Sequence, residues 1–321
     1  MVRVFAPATV SNLGPGFDVL GLALARPGDI VEAETSDRPG VALVEVTGEQ
    51  GALPRDAGAN SASVAAADVL RRYESAAAGR PAAAPAVTGI WLRLHKQMPL
   101  ASGLGSSGAS AAAGAFAANE LLGRPFSSAE LVESAAAGER AACGSPHADN
   151  VAPSLLGGIT LVRSYDPLEV VRLPVPAGLF VVAVHPHCKV STARARALLA
   201  ACRFPLPDIV ANAGNLAAMV AALYRGDLPL LGRTIEDRLV EPVRAELIPG
   251  FGTVRRAALE AGALGCSISG SGPTLFALAD ADDGAARVAL AMRAAFKSAA
   301  GLESDAWMGP VSGQGARVVH P

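Results

Sequence analysis

Pro99-Leu-Ala-Ser-Gly103-Leu-Gly105-Ser106-Ser107-Gly108-Ala109-Ser110 is the stretch on which the reading of this chain turns. It packs glycines at 103, 105 and 108 and serines at 102, 106, 107 and 110 into one loop. Upstream, Ile90, Leu92 and Leu94 alternate with Trp91, Arg93 and His95, which predicts a half-buried strand. Downstream, Ala109–Leu122 predicts a helix. A strand, a glycine loop and a helix start, in that order, gather backbone N–H groups at the positive end of a helix dipole. Such a pocket suits a phosphate.

The glycine spacing admits more than one phosphate. Gly103-x-Gly105-x-x-Gly108 fits the dinucleotide fingerprint, which normally closes the first strand of a βαβ unit. Here it lies about a third of the way along. Glu130 falls near the position of a ribose-binding acid, but it sits in Ser127-Ser128-Ala129-Glu130, which reads as a helix start. No Lys-Ser/Thr follows the glycines, so the loop is not a Walker A motif. A loop that only turns the chain is the remaining physical alternative.

Composition bounds the answer. The 321 residues suffice for two domains, each with its own core. With 51% hydrophobic and 17% charged residues the chain is globular rather than disordered. Aromatics are 4%, so the cores must be built from Ala, Val and Leu. A formal net charge of −2 without a basic run argues against nucleic acid. Cys143, Cys188, Cys202 and Cys266 show no C-x-x-C spacing and read as buried thiols of a reducing compartment, neither a disulfide frame nor a zinc site. No apolar leader opens the chain, and the uncharged run from Gln97 to Asn119 is too rich in Gly, Ser and Pro for a membrane span. The expected location is cytoplasmic, with no membrane partner.

Further strands are expected at Val2–Ala6, Asp29–Glu34, Val41–Thr47, Gly158–Ser164, Leu179–His185 and Ala316–Val319, with an α/β passage over Cys266–Leu278. Helices are expected at Asn60–Tyr73, Ser128–Ala142, Ser191–Ala201, Val210–Tyr224, Leu228–Arg238, Gly252–Ala261 and Ala285–Ala300. Ala8–Leu20 reads as turn-rich and Ser75–Val87 as a surface connection. The order is α+β with mixed strand pairing. The expected domains are 1–160 and 161–321, with the last strand returning to the first domain.

Other segments offer chemistry. Asn12-Leu13-Gly14-Pro15-Gly16-Phe17-Asp18 flanks a tight turn with a carboxamide and a carboxylate. Glu139 precedes Pro146-His147-Ala148-Asp149-Asn150, a set able to hold a hard cation, since Mg²⁺ takes one or two carboxylates plus phosphate oxygens. Thr192 and Arg196 share a helix face, and Arg244 follows Glu241-Pro242-Val243. Two arginines can clamp a carboxylate. Each segment alone also fits a plain β-turn, a helix cap or a surface charge.

In order, these segments resemble the homoserine kinase family of the GHMP kinases over essentially the whole chain. The loop matches the GHMP pattern P-x-x-x-G-L-G-S-S-A-A, except for Gly108 where Ala is usual. The N-terminal A-x-x-x-N-L-G-x-G-F-D and the S-I-S-G-S-G-P-T turn at Ser267–Thr274 also match. Mevalonate-type relatives carry a Lys in the N-terminal segment; here Thr9, Ser11 and Asn12 stand there. The resemblance implies an N-terminal α/β domain like ribosomal protein S5 domain 2 and a ferredoxin-like C-terminal domain. It implies ATP-dependent phosphorylation of L-homoserine, with Mg²⁺, in threonine biosynthesis, and a homodimer. Asn12 and Asp18 would hold the substrate amino group. Arg196 and Arg244 would hold its carboxylate, with Thr192 and His147 close by. Asn150 would orient the hydroxyl, and Asp149 is the rival as a general base. Ser107 and Glu139 would bind Mg²⁺. Asn60 and the loop Pro99, Leu100, Ala101, Ser102, Gly103, Leu104, Gly105, Ser106 and Ser107 would hold ATP. Another GHMP kinase acting on a different alcohol, or an inactive nucleotide-binding regulator, stays open.

Overall fold

The computed structural model describes residues 1–48, 51–77 and 87–320. The first sheet joins β1 (Val2–Ser11), β2 (Leu20–Ser36), β3 (Gly40–Thr47) and β4 (Gly89–His95) with β5 (Ile159–Tyr165), β6 (Leu168–Leu173) and β11 (Arg317–Val318). Its main path is β11-β1-β2-β4-β3, and β5 pairs with β2 and carries β6. Only β3–β4 is parallel among these pairings, so the pairing is mixed. Helices α1 (Ser61–Ala77), α2 (Ser106–Leu121), α3 (Ser128–Cys143) and α4 (Ala148–Leu156) pack with it.

Small side chains make this layer possible. A Cβ on Gly114 would lie 2.2 Å from the Ala62 carbonyl oxygen, and one on Gly138 would lie 2.3 Å from that of Ser61. Helices α2 and α3 therefore approach α1 more closely than larger residues permit. The α2 helix buries Ala109, Ala111, Ala112, Ala113, Ala115, Ala117 and Ala118 around its circumference. A helix apolar on all sides belongs inside, and this one runs through the core behind the glycine loop.

The second sheet has the order β10-β7-β9-β8, from β7 (Phe180–Pro186), β8 (Gly265–Ile268), β9 (Leu275–Ala279) and β10 (Ser304–Pro310). All three pairings are antiparallel. Helices α5 (Thr192–Ala200), α6 (Leu206–Arg225), α7 (Leu228–Arg233), α8 (Val240–Ala245) and α9 (Phe251–Glu260) lie between β7 and β8. Helix α10 (Asp282–Ala300) links β9 to β10. In chain order the strands stand fourth, first, third, second, the split βαβ arrangement of ferredoxin-like units.

Some local expectations shift. β1 continues to Ser11 and β2 begins at Leu20, so the stretch read as turn-rich is partly strand. Helix α7 stops at Arg233, short of Arg238. Elements α4, β6, α8 and β10 were not anticipated: α4 opens on His-Ala-Asp-Asn and contains Pro153, which masks its helical pattern. In the expected surface connection, Ser75–Ala77 belong to α1 and 78–86 lie outside the described residues. The cysteines are not uniformly buried: Cys143 is exposed, Cys188 and Cys202 are half-buried and only Cys266 is buried.

Candidate active site

The glycine loop forms as the strand–loop–helix order requires. β4 ends at His95, and α2 starts at Ser106 behind Gly105, whose φ of 65° is left-handed. A Cβ there would lie 2.1 Å from Thr9 Oγ1, so only glycine fits. Gly103 is equally confined, with a Cβ meeting the Ser269 carbonyl oxygen at 2.4 Å. That contact shows what the second glycine turn does. Ser269 Oγ donates to the Gly103 carbonyl (2.6 Å), and Thr274 N–H donates to the Ser102 carbonyl (3.1 Å). The C-terminal turn clasps the phosphate loop.

A buried ion pair supports the loop from beneath. Lys96 Nζ donates to Asp29 Oδ2, to the Ser106 carbonyl (2.9 Å) and to Ser110 Oγ (2.9 Å). Asp29 also accepts from Ser110 Oγ (2.7 Å) and Gln97 N–H (3.0 Å). All three ammonium hydrogens are thus placed inside the protein. Neither Lys96 nor Asp29 was singled out in the sequence, because each is an ordinary surface residue type until the fold joins β2, β4 and α2. Glu130, the alternative ribose acid, is instead half of a capping box with Ser127.

The loop borders a cleft of about 320 Å³. Lining it are Leu100, Ala101, Ser102, Gly103, Gly105, Ser106 and Ser107 together with Asn12, Asp18, Asn60, Glu139, His147, Asp149, Asn150, Thr192, Arg196 and Arg244. Of the expected loop residues, the Leu104 side chain is buried in the core, and Pro99 does not line the cleft. The Asn60 carboxamide is already engaged: its Oδ1 accepts from Ala62 N–H (3.0 Å) and its Nδ2 donates to the Pro54 carbonyl (3.3 Å).

At one end of the cleft, Asp18 and Arg196 face each other in a forked pair at 2.9–3.0 Å. The residues expected to hold opposite ends of a zwitterion thus neutralise one another here. Arg244 donates to the Gly270 carbonyl (2.7 Å), as does Asn12 Nδ2 (2.9 Å). The Phe17 ring lies under both guanidiniums, 5.7 Å from that of Arg196 and 4.9 Å from that of Arg244. Burial pulls Arg244 down to about 10, so it stays cationic at neutral pH. Thr192 Oγ1 is 3.1 Å from Ser271 Oγ.

Midway, Thr9 Oγ1 donates to Asn150 Oδ1 (2.9 Å) and fixes that carboxamide. Beside it Asp149 is 1% exposed. Burial and the Asp18 charge push its carboxyl up to about 7 against the opposing His147 charge. At the loop end, His147 Nδ1 and Glu139 Oε1 are 2.9 Å apart. Burial alone would lower the His147 imidazole; hydrogen bonds to Cys143 and Glu139, with the Glu139 and Asp149 charges, outweigh it and raise it to about 10.

Several buried polar atoms here have no partner: Arg196 Nε, Arg244 Nε, Asp149 Oδ1, Glu139 Oε2 and Ser106 Oγ. Unsatisfied groups are costly and uncommon in folded proteins. Five around one cleft mark a surface shaped for something else: donors and a carboxylate at one end, a carboxylate and a hydroxyl at the other.

The comparisons agree with this architecture. Residues 55–158 match the GHMP kinases N terminal domain and residues 219–298 the GHMP kinases C terminal domain. The chain belongs to the GHMP kinases, ATP-dependent kinases of small molecules. A homoserine kinase of Chlorobium phaeobacteroides (strain BS1) is 46% identical over 99% of both chains. The crystal structure of homoserine kinase from Cytophaga hutchinsonii is 47% identical, with a TM-score of 0.92, covering 99% of this chain and 97% of that one. The Leishmania major mevalonate kinase structure, 17% identical at a TM-score of 0.71, shares the fold.

Proposed function

We propose that this kinase transfers the γ-phosphoryl group of ATP to the side-chain hydroxyl of L-homoserine, yielding O-phospho-L-homoserine and ADP in threonine biosynthesis. The observation that carries the reading is the set of unpartnered atoms at the acceptor end. Arg196 Nε and Arg244 Nε are buried donors able to take a carboxylate. Asp18 and Asn12 supply acceptors for an ammonium. An analogue missing the carboxylate would leave the buried Arg244 Nε unpaired, and one missing the amine would leave the half-buried Asp18 without its ammonium. Substrate binding exchanges the Asp18–Arg196 pair for contacts with the zwitterion.

ATP would lie with its phosphates on the Gly103–Ser107 backbone and its base toward Asn60. Glu139, with one free carboxylate oxygen, and the Ser107 hydroxyl suit Mg²⁺, which prefers few protein oxygens beside those of the nucleotide. The bound ion would neutralise phosphate charge. Asn150, held by Thr9, orients the acceptor hydroxyl. Its oxygen bonds to the γ-phosphorus as the bond to the β–γ bridging oxygen breaks. The proton leaves through the transferred phosphoryl group or water, since a loose transition state asks little of a base. The unpartnered Asp149 Oδ1, on a carboxyl poised near neutrality, supports a second reading in which Asp149 takes that proton.

We further propose a cytoplasmic enzyme of two units. The boundary expected at residue 160 falls within the first sheet, since β5 and β6 pair into it, so the units divide between Leu173 and Phe180 instead. β11 returns to the first unit. A homodimer is expected, and light scattering would read it. The function itself is tested by ADP release against L-homoserine, its analogues lacking the amine or the carboxylate, and mevalonate. Strong preference for L-homoserine is expected; equal or better turnover of another alcohol would end this reading.

A further inference from the structure

The loop end of the cleft places beside Glu139 a thiol and an imidazole to which the transfer proposed above gives no role. Glu139 and Cys143 stand four residues apart on α3, one turn above each other, and His147 follows at the entrance to α4. One ligand atom from each, a carboxylate oxygen, a thiol sulfur and an imidazole nitrogen, lie within 4.8 Å of one another. Glu139 is 3% exposed and keeps an unpartnered Oε2, whereas Cys143 is open to solvent. Cys143 Sγ is 3.4 Å from Ser107 Oγ, so the open side of the cluster faces the first turn of α2. Mg²⁺ takes hard oxygen ligands, while thiolate and imidazole select softer ions. Zinc bonds of about 2.0–2.3 Å hold ligand atoms less than 4.8 Å apart, and His147 Nδ1 and Glu139 Oε1 already stand at 2.9 Å. Three protein ligands with a fourth position open is a known zinc arrangement. Among the described residues, no other group of this kind is present.

We propose that Glu139, Cys143 and His147 form a binding site for a thiophilic divalent cation, with zinc as the type, and that this ion excludes Mg–ATP by withdrawing Glu139 and crowding Ser107. The site itself stands on the cluster alone; its competition with Mg–ATP rests on the assignment of Glu139 and Ser107 above. The ion deprotonates the thiol and the imidazolium as it binds, releasing the protons to solvent.

The purified protein, free of nucleotide, is titrated with Co²⁺ as a spectroscopic probe and then with Zn²⁺ in competition. One equivalent per chain is expected, with a thiolate-to-cobalt charge-transfer band and tetrahedral visible bands that zinc erases. Cys143→Ser should abolish the charge-transfer band. It should also weaken zinc by at least the roughly 10–100-fold seen when outer partners of metal ligands are lost. Cys143 is exposed and has no assigned role in transfer, so Cys143→Ser should keep Mg–ATP turnover and resist zinc inhibition. No charge-transfer band, or a band unchanged in Cys143→Ser, overturns the site. A band that Mg–ATP fails to displace supports the site and overturns the shared use of Glu139.

Discussion

Lys96→Met removes the cation from beneath the phosphate loop while keeping an unbranched chain of similar length. Its side chain is 1% exposed and that of Asp29 is fully buried. Breaking a buried pair by deleting one partner costs about 3–5 kcal/mol, because the surviving charge is stranded. Asp29 keeps Ser110 Oγ and Gln97 N–H as donors, so the low end, about 3 kcal/mol, is expected. Adding Asp29→Asn removes the stranded charge, keeps one oxygen to accept from Gln97 N–H, and turns the amide NH₂ toward Ser110 Oγ, a hydroxyl that can accept in turn. The double variant should therefore recover about 1 kcal/mol or more, within the coupling of roughly 0.5–3 kcal/mol seen for contacting pairs. Urea unfolding followed by tryptophan fluorescence reads this. Trp91 lies in β4 of the first sheet and Trp307 in β10 of the second, so emission follows both units. In kinetics, KM for ATP should rise, since the Ser106 carbonyl loses its charged donor and keeps only the longer contact from Ser110 Oγ (3.2 Å), and KM for the alcohol should change little. A Lys96→Met loss below about 1 kcal/mol, or a double variant no better than the single, would refute the buried-pair account.

Three other variants probe the middle and the acceptor end of the cleft. Asp149, raised to about 7, is protonated in the folded state well above the pH at which it ionises unfolded. Its contribution to stability is therefore full below about pH 4 and is lost as pH rises through about 7. Asp149→Asn should raise stability at pH 8 relative to wild type while changing it little at pH 4, as thermal melts would show. If Asp149 is the base, kcat falls by several orders of magnitude and the rise in activity through pH 7 disappears; if Asn150 acts without it, the loss stays near tenfold. Thr9→Val, nearly isosteric, should lower kcat by up to about tenfold, the worth of roughly one hydrogen bond, with both KM values steady. An unchanged kcat would remove Thr9 from the positioning of Asn150. Arg244→Ala, losing a buried, hydrogen-bonded cation, should cost about 2–5 kcal/mol in kcat/KM for the amino-acid substrate, roughly 30-fold or more, without raising KM for ATP. A matching rise in KM for ATP would place Arg244 elsewhere.

Much of the site was legible because its pieces are short and local. The phosphate loop needs a strand, left-handed glycines and a helix start, and Gly103, Gly105 and Ser106 encode these within a few residues. The capping box at Ser127 and Glu130 is equally local. Helix α4 was less legible, since its first turn is written in polar residues that serve the cleft and its interior holds Pro153. The Glu139-x₃-Cys143-x₃-His147 spacing is weakly legible, because a ligand set with one thiol that spans a helix end and the following loop has no C-x-x-C signature.

By itself, the sequence determined the α+β order, the Ala-built core and the residues of the phosphate loop, because each depends on neighbours a few positions apart. Only the tertiary structure decided which residues face each other across long separations. Thr9 meets Asn150, Asp29 meets Lys96, Asp18 meets Arg196, and Ser269 closes over Gly103. The physical reason is that a side chain's charge and hydrogen-bonding capacity are local properties, whereas its partner is set by sheet register and helix packing. Burial then converts those partnerships into a raised Asp149, a tethered loop and a set of unpartnered atoms around one cleft.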